Sequence, residues 1–222
     1  MHLFLATRNP HKRRELAEML GPDFALEDLS DHPEIDDVDE TGTTFVANAA
    51  LKAVTVSHHL AGLVLADDSG LEVDSLGGAP GVYSARYAGA GATDAANRRK
   101  LLDALDPGAS RGARFRCVLV LARAGQILVT VEGEVEGSIL EEEHGRMGFG
   151  YDPIFQPVGF DRTFAELSAG EKNAISHRAV AVAKLREFLR LLDRRECWPL
   201  SRNDAVADAE RICVWRPRRG GL

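Results

Sequence analysis

The sequence has little cysteine and no long apolar run. Its three cysteines among 222 residues include no closely spaced pair, so neither a disulfide framework nor a cysteine-rich zinc site is supported. No stretch approaches the roughly 20 apolar residues that a membrane-spanning helix needs. The apolar start, residues 3–6, is too short for the core of a signal peptide. We therefore expect a cytoplasmic protein with no membrane partner.

The chain also has fewer positively than negatively charged residues. Lys and Arg total 27 against 34 Asp and Glu, which gives a net charge of −7. A field of this sign opposes non-specific nucleic-acid binding, but it leaves room for a small basic pocket that holds an anionic ligand. With 45% hydrophobic and 27% charged residues, the composition is that of a globular protein and excludes a disordered, collagen-like or coiled-coil chain.

The composition changes near Arg194. Residues 194–222 contain seven arginines and four acidic residues, together with both tryptophans and two of the three cysteines. We therefore predict one domain over residues 1–193, with length enough for one large core or two small lobes, and an Arg-rich C-terminal tail over 194–222. The sequence assigns no role to this tail.

Helix and strand patterns alternate along the chain. Apolar runs predict strands over 3–6, 63–66, 114–122, 127–135 and 153–155. Helical spacing predicts a first helix that ends near residue 20 and further helices over 44–60, 94–105 and 173–192. The apolar stripe of the helix over 44–60 includes Phe45, Ala49, the methylene stem of Lys52, Val56 and Leu60. The strand over 63–66 is expected to end at Asp67, with Leu71–Val73 continuing it after a turn. Ala124-Gly125 predicts a hairpin. The order of elements is typical of a mixed α/β fold.

A first polar cluster, Thr7-Arg8-Asn9-Pro10-His11-Lys12, follows a strand and opens a helix. Free backbone N–H groups at a helix start favour an anion, and the side chains of Thr7, Asn9 and Lys12 add donors, which suits a triphosphate. The glycine and lysine spacing of a Walker P-loop is absent. An N-cap followed by surface Lys and Arg is the alternative interpretation.

A second cluster, Asp67-Asp68-Ser69-Gly70, follows the buried strand. Two adjacent acids at the end of such a strand are costly unless they bind something positive. Mg²⁺ prefers a few carboxylates plus substrate phosphates, and a carboxylate not fully committed to the metal can accept a proton from an attacking water. An Asx turn that ends the strand is the equally open alternative.

A third cluster is the acidic segment 31–42, which includes Asp39-Glu40. Charge runs are usually solvated surface. Its interest is that it can supply the further carboxylate that a metal site needs.

The fourth cluster pairs Gly148–Pro153 with a polar stretch that includes Lys172, Ser176, His177 and Arg178. Glycines on both sides of Phe149 let the backbone approach a flat ligand on which the ring can stack. Asp152 can accept from a ring N–H, whereas His177 and Arg178 can donate to ring carbonyls. Core packing of the aromatic rings and a solvated helix side are the alternatives. Taken together, these groups suit an oxo-purine.

At these residues the sequence resembles the inosine/xanthosine triphosphate pyrophosphatase family. The resemblance covers residues 1–193 and lies in family order. The matching stretches are Ala6–Asn9 with Lys12, Glu40-Thr41-Gly42 with Phe45, Asn48-Ala49 and Lys52-Ala53, Ala66–Leu71, Leu76–Tyr87, Gly148–Phe155 and Glu171–Arg178.

The resemblance implies an elongated α/β fold with a mixed sheet, flanking helices and two lobes around a central nucleotide-binding cleft, commonly as a homodimer. It implies Mg²⁺-dependent hydrolysis of ITP, dITP or XTP to the monophosphate and pyrophosphate. Asp68 would be the proton acceptor and a metal ligand, and Glu40, or Asp39 beside it, a further metal ligand. The implied substrate-binding residues are Thr7, Arg8, Asn9, Pro10, His11, Lys12, Ser69, Phe149, Gly150, Tyr151, Asp152, Lys172, His177 and Arg178. The family often has glycine where this chain has Arg8.

Two other functions stay open from the sequence. A pyrophosphatase for modified pyrimidine or methylated nucleotides would share the phosphate and metal clusters but not the oxo-purine contacts. A nucleotide sensor without turnover, whose Arg-rich tail contacts a partner, would gain little from two acids near a triphosphate.

Overall fold

A six-stranded mixed sheet forms the centre of the protein, which a computed structural model describes over residues 1–193. The Arg-rich tail predicted over 194–222 lies outside the described residues. The elements are β1 (His2–Leu5), α1 (Pro10–Leu20), β2 (Ala25–Asp28), α2 (Phe45–Ser57), β3 (Leu63–Val73), α3 (Asp94–Asp103), β4 (Gly112–Arg123), β5 (Gln126–Ile139), β6 (Phe155–Pro157), α4 (Ala169–Ile175) and α5 (His177–Asp193).

The strand order across the sheet is β2-β1-β3-β4-β5-β6. β1 pairs in parallel with β2 and β3, and the remaining neighbours pair antiparallel. This arrangement confirms the mixed α/β class. The predicted hairpin is also confirmed, although its strands are longer than the apolar runs indicate. Pairing extends to Gly112 and Ser138, and the turn uses positive φ angles at Ala124 and Gly125.

The two faces of the sheet carry different helices. On one face, α1 and α5 cover a core that includes Leu65 of β3. On the other face, α2 covers a core that includes Val64 and Ala66. Phe45, Ala49, Lys52 and Val56 are all buried, as the predicted apolar stripe of this helix requires. A third core lies toward the far end of β3 and β4 and includes residues of α3, β5, β6 and the segment 151–167.

Strand β3 differs most from expectation. It runs without interruption from Leu63 to Val73, so the predicted turn at Asp67–Gly70 is wrong, as is the alternative Asx turn. β4 explains the difference, because Asp67 pairs with Leu119 and Asp68 with Val118 in a continuous antiparallel ladder. The ladder holds the short polar residues in the extended conformation that their local preference disfavours.

The predicted helix over 173–192 is two helices. α4 ends at Ile175, and α5 begins at His177, because Ser176 between them is extended (φ −67°, ψ 158°). α4 starts earlier than predicted, since Ser168 and Glu171 form a reciprocal capping box. Sequence patterns missed the short strand β2, and they placed β6 two residues too early.

Candidate active site

The site begins where β1 stops and β3 continues. The Ala6 N–H donates to the Leu65 carbonyl (2.9 Å), and beyond this point β3 has no β1 partner. The Asp67 carbonyl oxygen on the vacated edge accepts from Lys52 Nζ at 2.9 Å and from Lys12 Nζ at 3.4 Å. Two ammonium groups, one from α1 and one from α2, therefore meet at this edge of the sheet.

The Asp67 side chain lies on the α1–α5 face. Its carboxylate contacts Lys12 Nζ at 2.6 Å and Arg178 Nε at 2.8 Å, and it accepts from the Cys117 thiol at 3.4 Å. Ser69 Oγ donates to it at 2.9 Å and accepts from Arg178 Nη2 at 2.8 Å. Burial alone would raise the pKa of Asp67, but Arg178 and Lys12 outweigh it and hold this pKa well below the usual value. Asp67 is therefore a fixed, ionised anchor for two cations.

The Asp68 side chain lies on the opposite, α2 face. Its Oδ1 contacts Lys52 Nζ at 3.3 Å, while its Oδ2 is buried and has no hydrogen-bond partner among residues 1–193. Burial raises the pKa of Asp68 above its usual value despite the neighbouring lysines. A buried carboxylate oxygen without a donor is costly, so this atom suits a ligand or a proton.

The strand geometry corrects the expected use of the aspartate pair. Successive side chains of a strand point to opposite faces, so adjacent aspartates inside a strand cannot both close around one ion as a pair at a strand end would. Asp67 instead serves the arginine and lysine side of the site. Asp68 alone is left with an unsatisfied oxygen.

Glu40 joins Asp68 through Lys52. Lys52 Nζ contacts Glu40 Oε1 at 2.6 Å, and Arg86 Nη1 contacts Glu40 Oε2 at 3.0 Å. Burial raises the pKa of Glu40, but Lys52 and Arg86 more than offset it, so the net pKa is lowered. Asp39 is exposed. Of the two predicted carboxylates of this segment, the structure brings Glu40 to the group that holds Asp68.

Sequence analysis missed Lys52 and Arg86 as site residues, although both lie in the stretches that carry the resemblance. The sequence pattern places Lys52 on the apolar stripe of α2 through its methylene stem, which describes the stem but not the ammonium group. Its ammonium group is buried among carboxylates, and Asp68 and Glu40 raise its pKa against the opposite effect of burial. The signal in the sequence that could have identified Lys52 as a site residue is a single lysine on the buried stripe of a helix.

Two carboxylates, those of Asp68 and Glu40, are placed to bind a magnesium ion. Among residues 1–193, no group of three or more His, Cys, Asp and Glu side chains is arranged to hold a metal ion. Asp68 offers the unsatisfied Oδ2, and Glu40 lies across Lys52 from it. Mg²⁺ is usually bound through one or two carboxylates, with water and substrate phosphates completing its shell, so this donor set is sufficient.

The start of α1 differs from the expected anion cradle. Asn9 caps the helix, and its Oδ1 accepts from the N–H groups of His11 (2.9 Å) and Lys12 (3.2 Å). Pro10 has no N–H. The expectation of free backbone donors is therefore wrong at these positions, and side chains have to supply the contacts to an anion. Lys12 already points to the edge of β3.

A second buried network joins α1 to the segments that follow β5. Glu15 contacts Lys172 Nζ at 2.8 Å and also pairs with the Arg178 guanidinium, and Lys172 contacts Asp152 Oδ2 at 2.6 Å. Arg178 and Lys172 lower the pKa of Glu15 against the larger single effect of burial, whereas burial keeps the pKa of Asp152 raised. Sequence analysis missed Glu15, because a glutamate at a helical position is normally solvated.

The loop with Gly148 and Gly150 holds Phe149 beside the buried network of Glu15, Lys172 and Asp152. Gly148 has φ +75°, and a Cβ there would lie 2.0 Å from Asp152 Oδ2, which accepts the Phe149 N–H at 2.8 Å. The Phe149 ring stacks on His11 with a centroid distance of 5.1 Å, and Lys172 Nζ lies 5.0 Å from its centroid. The structure thus brings the first and fourth predicted clusters together.

His177 is buried rather than on a solvated helix side. Its ring stacks on Phe115 with a centroid distance of 4.8 Å, and its Nδ1 has no hydrogen-bond partner within residues 1–193. Burial, together with the charges of Arg178 and Lys172, holds the pKa of His177 well below the usual value, so the ring is neutral. Tyr151 is also buried, and its hydroxyl donates to the Ser84 carbonyl at 2.9 Å. Gly150 donates its N–H to Asp94.

Comparison with known proteins identifies close relatives. The model of the Ham1 family matches residues 3–188. A dITP/XTP pyrophosphatase from Bacillus licheniformis is 51% identical over 190 residues, which cover 84% of this chain and 97% of that protein. One from Bacillus subtilis is 48% identical over 188 residues and covers 83% and 95%. The solved Ham1 protein of Staphylococcus aureus aligns with a TM-score of 0.77 at 40% identity and covers 86% of this chain and 98% of its own.

Proposed function

The chain belongs to the Ham1 family, and on that premise we propose that it hydrolyses non-standard purine nucleoside triphosphates to the monophosphate and pyrophosphate. ITP, dITP and XTP are the substrates we expect, and their removal from the nucleotide pool is the consequence. One observation carries the assignment of the residues. Among residues 1–193, Asp68 presents a buried carboxylate oxygen without a hydrogen-bond partner, beside two lysines at an open sheet edge.

Asp68 is the residue that accepts the proton of the attacking water. Its raised pKa matches the task better than that of an ordinary aspartate, because a general base works best when its pKa approaches the working pH. Water attacks the α-phosphorus, the bond to the bridging oxygen breaks, and pyrophosphate leaves. The protein does little covalent chemistry here, and placement and charge neutralisation do most of the work.

We propose that Mg²⁺ is held by Asp68 and Glu40 together with the substrate phosphates. When bound, the ion would neutralise developing charge on the phosphate oxygens. Asp39, the other carboxylate predicted for this role, is exposed and is the alternative ligand. Lys52 holds Glu40 and Asp68 near each other, since its ammonium group contacts both.

The phosphates are bound by side chains around the start of α1. We assign Thr7, Asn9 and Lys12 to this role and add Lys52, whose ammonium group lies at the same sheet edge as that of Lys12. Pro10 and His11 complete the loop of α1 that faces Phe149. Direct contact of Arg8 with phosphate stays a prediction from the sequence.

The base is recognised in the region of Phe149. We propose stacking on this ring and hydrogen bonds from His177 and Arg178 to the 6-oxo edge. The remaining predicted contacts to the nucleotide are made by Ser69, Gly150, Tyr151 and Asp152, and Lys172 contributes a further phosphate contact. Within the described part of the chain His177 Nδ1 is unpaired, and the three bonds of the Arg178 guanidinium leave two of its five N–H groups to donate. Adenine offers an amino group at this edge, so buried donors would stay unpaired, and such sites can discriminate by ~10⁴-fold.

The wider setting is proposed from the same resemblance. We expect a homodimer in the cytoplasm, with no nucleic-acid or membrane partner, and a catalytic domain over residues 1–193. Within the described residues no helix has the length and apolarity needed to cross a membrane.

Pyrophosphate release across ITP, XTP, GTP, ATP and a set of modified pyrimidine triphosphates, each with and without Mg²⁺, tests the proposal. We expect release from ITP and XTP that depends on Mg²⁺. Equal kinetics on ATP and ITP would reject the base-recognition scheme, and a preference for modified pyrimidines would favour the other enzyme class. Ligand-induced stabilisation without product would identify a sensor.

A further inference from the structure

Arg8 lies within residues 7–12, the loop to which we assign the phosphates and which we call the phosphate loop, but its side chain turns away to the acidic segment. Its Nη1 pairs with the Asp37 carboxylate, and its Nη2 donates to the Ile35 carbonyl and, at 3.5 Å, to the His32 carbonyl. One guanidinium thus contacts three positions of a single loop. A planar fork of donors makes this possible, whereas the point charge of a lysine does not.

The loop that Arg8 contacts has little other support beyond Ile35. Residues 29–44 contain no helix or strand. Leu29 and Ile35 are buried and anchor its first part, and the Leu29 N–H donates to the Thr7 carbonyl at 3.1 Å. Between Ile35 and Glu40, the half-buried Val38 and the Arg8–Asp37 pair are the contacts that fix the chain among residues 1–193.

This segment ends at Glu40, whose carboxylate is joined to Lys52 and Arg86. It also carries five other carboxylates, at Asp31, Glu34, Asp36, Asp37 and Asp39. Arg13 Nη1 contacts the Asp31 carboxylate at 3.5 Å. The carboxylates nearer Glu40 repel one another and a triphosphate, which would move this part of the segment away from the cleft. Arg8 offsets one of the charges and contacts the main chain on the same segment.

We propose that Arg8 is a positioning residue. It holds the acidic segment 31–42 against the phosphate loop and thereby sets the position of Glu40 beside Lys52 and Asp68. The inference rests on the proposed function only through the role given to Glu40. It differs from direct phosphate binding by Arg8, because the groups that Arg8 contacts belong to the protein.

Amide hydrogen exchange without nucleotide or metal tests the structural half of the proposal. In R8A we expect exchange of the Leu29 and Ile35 amides, which donate to the Thr7 and His32 carbonyls at 3.1 Å each, to accelerate about tenfold or more, while α5 exchanges as in the wild type. R99A is the matched control, since it removes an exposed arginine from α3 and should leave the segment unchanged. Equal exchange of the Leu29 and Ile35 amides in R8A and R99A would overturn the proposal.

The Mg²⁺ dependence of pyrophosphate release tests the functional half. Loss of a residue that orients a metal ligand typically costs 10- to 100-fold in metal affinity or activity. We expect the half-saturating Mg²⁺ concentration to rise about tenfold in R8A and to rise also in D37N. The double variant should be no worse than R8A alone, because both changes break one contact.

A direct phosphate contact gives the opposite pattern. R8A would then raise the KM for nucleotide at saturating Mg²⁺, and D37N, which frees the guanidinium, would have no effect or the reverse one. That result overturns the positioning role. The exchange experiment does not involve the reaction, so failure of the proposed function would show separately, as normal turnover in D68N.

Discussion

At the scale of single residues, Asp68 carries the sharpest prediction. We expect D68N to retain nucleotide binding and to lose turnover by ~10²-fold or more, since an amide cannot accept the proton of the attacking water. Its Oδ2 has no partner in the described chain, so the change breaks no buried hydrogen bond at that atom. Pyrophosphate release and nucleotide-induced shifts in Tm measure the two effects separately.

Asp67 supplies the contrast for this experiment. D67N removes the buried charge that pairs with Lys12 and Arg178, and breaking such a pair typically costs about 3–5 kcal/mol. We therefore expect D67N to lower Tm far more than D68N does. Near-normal turnover in D68N would reject Asp68 as the proton acceptor, whatever D67N shows.

His177 predicts how stability depends on pH. The fold keeps its buried ring neutral with a pKa well below 6.5, whereas the unfolded chain binds a proton there below pH ~6.5. The unfolded state then holds more protons, so the free energy of unfolding falls as pH falls, by at most about 1.4 kcal/mol per pH unit for this group. The contribution of the neutral His177 ring to the free energy of unfolding is complete above pH ~6.5 and is lost progressively below that pH.

The comparison of wild type with H177Q in denaturant titrations between pH 6.5 and pH 5 isolates this effect. We expect a shallower pH slope in H177Q. If H177Q does not fold, the ring resonances of His177 in the wild type give the same information, because they should titrate well below pH 6.5. Titration near pH 6.5 would contradict the assignment.

At the scale of elements, the break between α4 and α5 sets the direction of two site residues. Ser176 is fully buried, its Oγ accepts the Ala179 N–H at 3.1 Å, and its own N–H donates to the Lys172 carbonyl at 2.9 Å. His177 and Arg178 are the first two residues after it. The cap therefore fixes the helix start from which both side chains enter the site.

We expect S176A to lower the free energy of unfolding by about 1–2 kcal/mol, because it removes a cap and leaves the half-buried Ala179 N–H unpaired. We also expect a several-fold higher KM for ITP. T93A removes the equivalent cap from α3, where Thr93 Oγ1 accepts the Ala96 N–H at 3.2 Å, and serves as the control. An equal change of KM in both variants would show that the effect reflects stability alone.

At the scale of the whole molecule, the site depends on how closely α5 lies on the sheet. A Cβ at Gly133 of β5 would lie 2.1 Å from the His177 carbonyl oxygen and 2.5 Å from the Ala181 nitrogen. Both are backbone atoms of α5, so a side chain at this position must displace the helix. Glycine at 133 therefore sets the distance between the two elements.

We expect G133A to cost about 1–3 kcal/mol of stability, as overpacking does, and to reduce activity through the displaced α5. G170A is the matched control, since a Cβ on that glycine of α4 meets nothing within 4 Å, and alanine favours the helix by up to about 1 kcal/mol. Calorimetry of both variants measures the change in stability that each substitution causes. A G133A protein as stable as the wild type would refute the close-packing argument.

Much of the architecture follows from local pattern. The apolar stripe of α2, the cap at Asn9 and the hairpin turn at Ala124-Gly125 were all predictable, because side-chain periodicity and turn chemistry act over a few residues. The four polar clusters were predictable as well, since each breaks an otherwise apolar pattern. The Ham1 relatives confirm the family that these clusters indicate.

The sequence by itself determined the class of fold, the position of the polar clusters and, through their order, the family. Only the tertiary structure decided which face of the sheet each aspartate occupies and which charges meet. β4 keeps Asp67 and Asp68 in a strand where their local preference predicts a turn. Glu15 meets Lys172 and Arg178 from across the chain, at separations of 157 and 163 residues. Periodicity reports burial over one or two turns, whereas the pairing of buried charges depends on how distant elements pack.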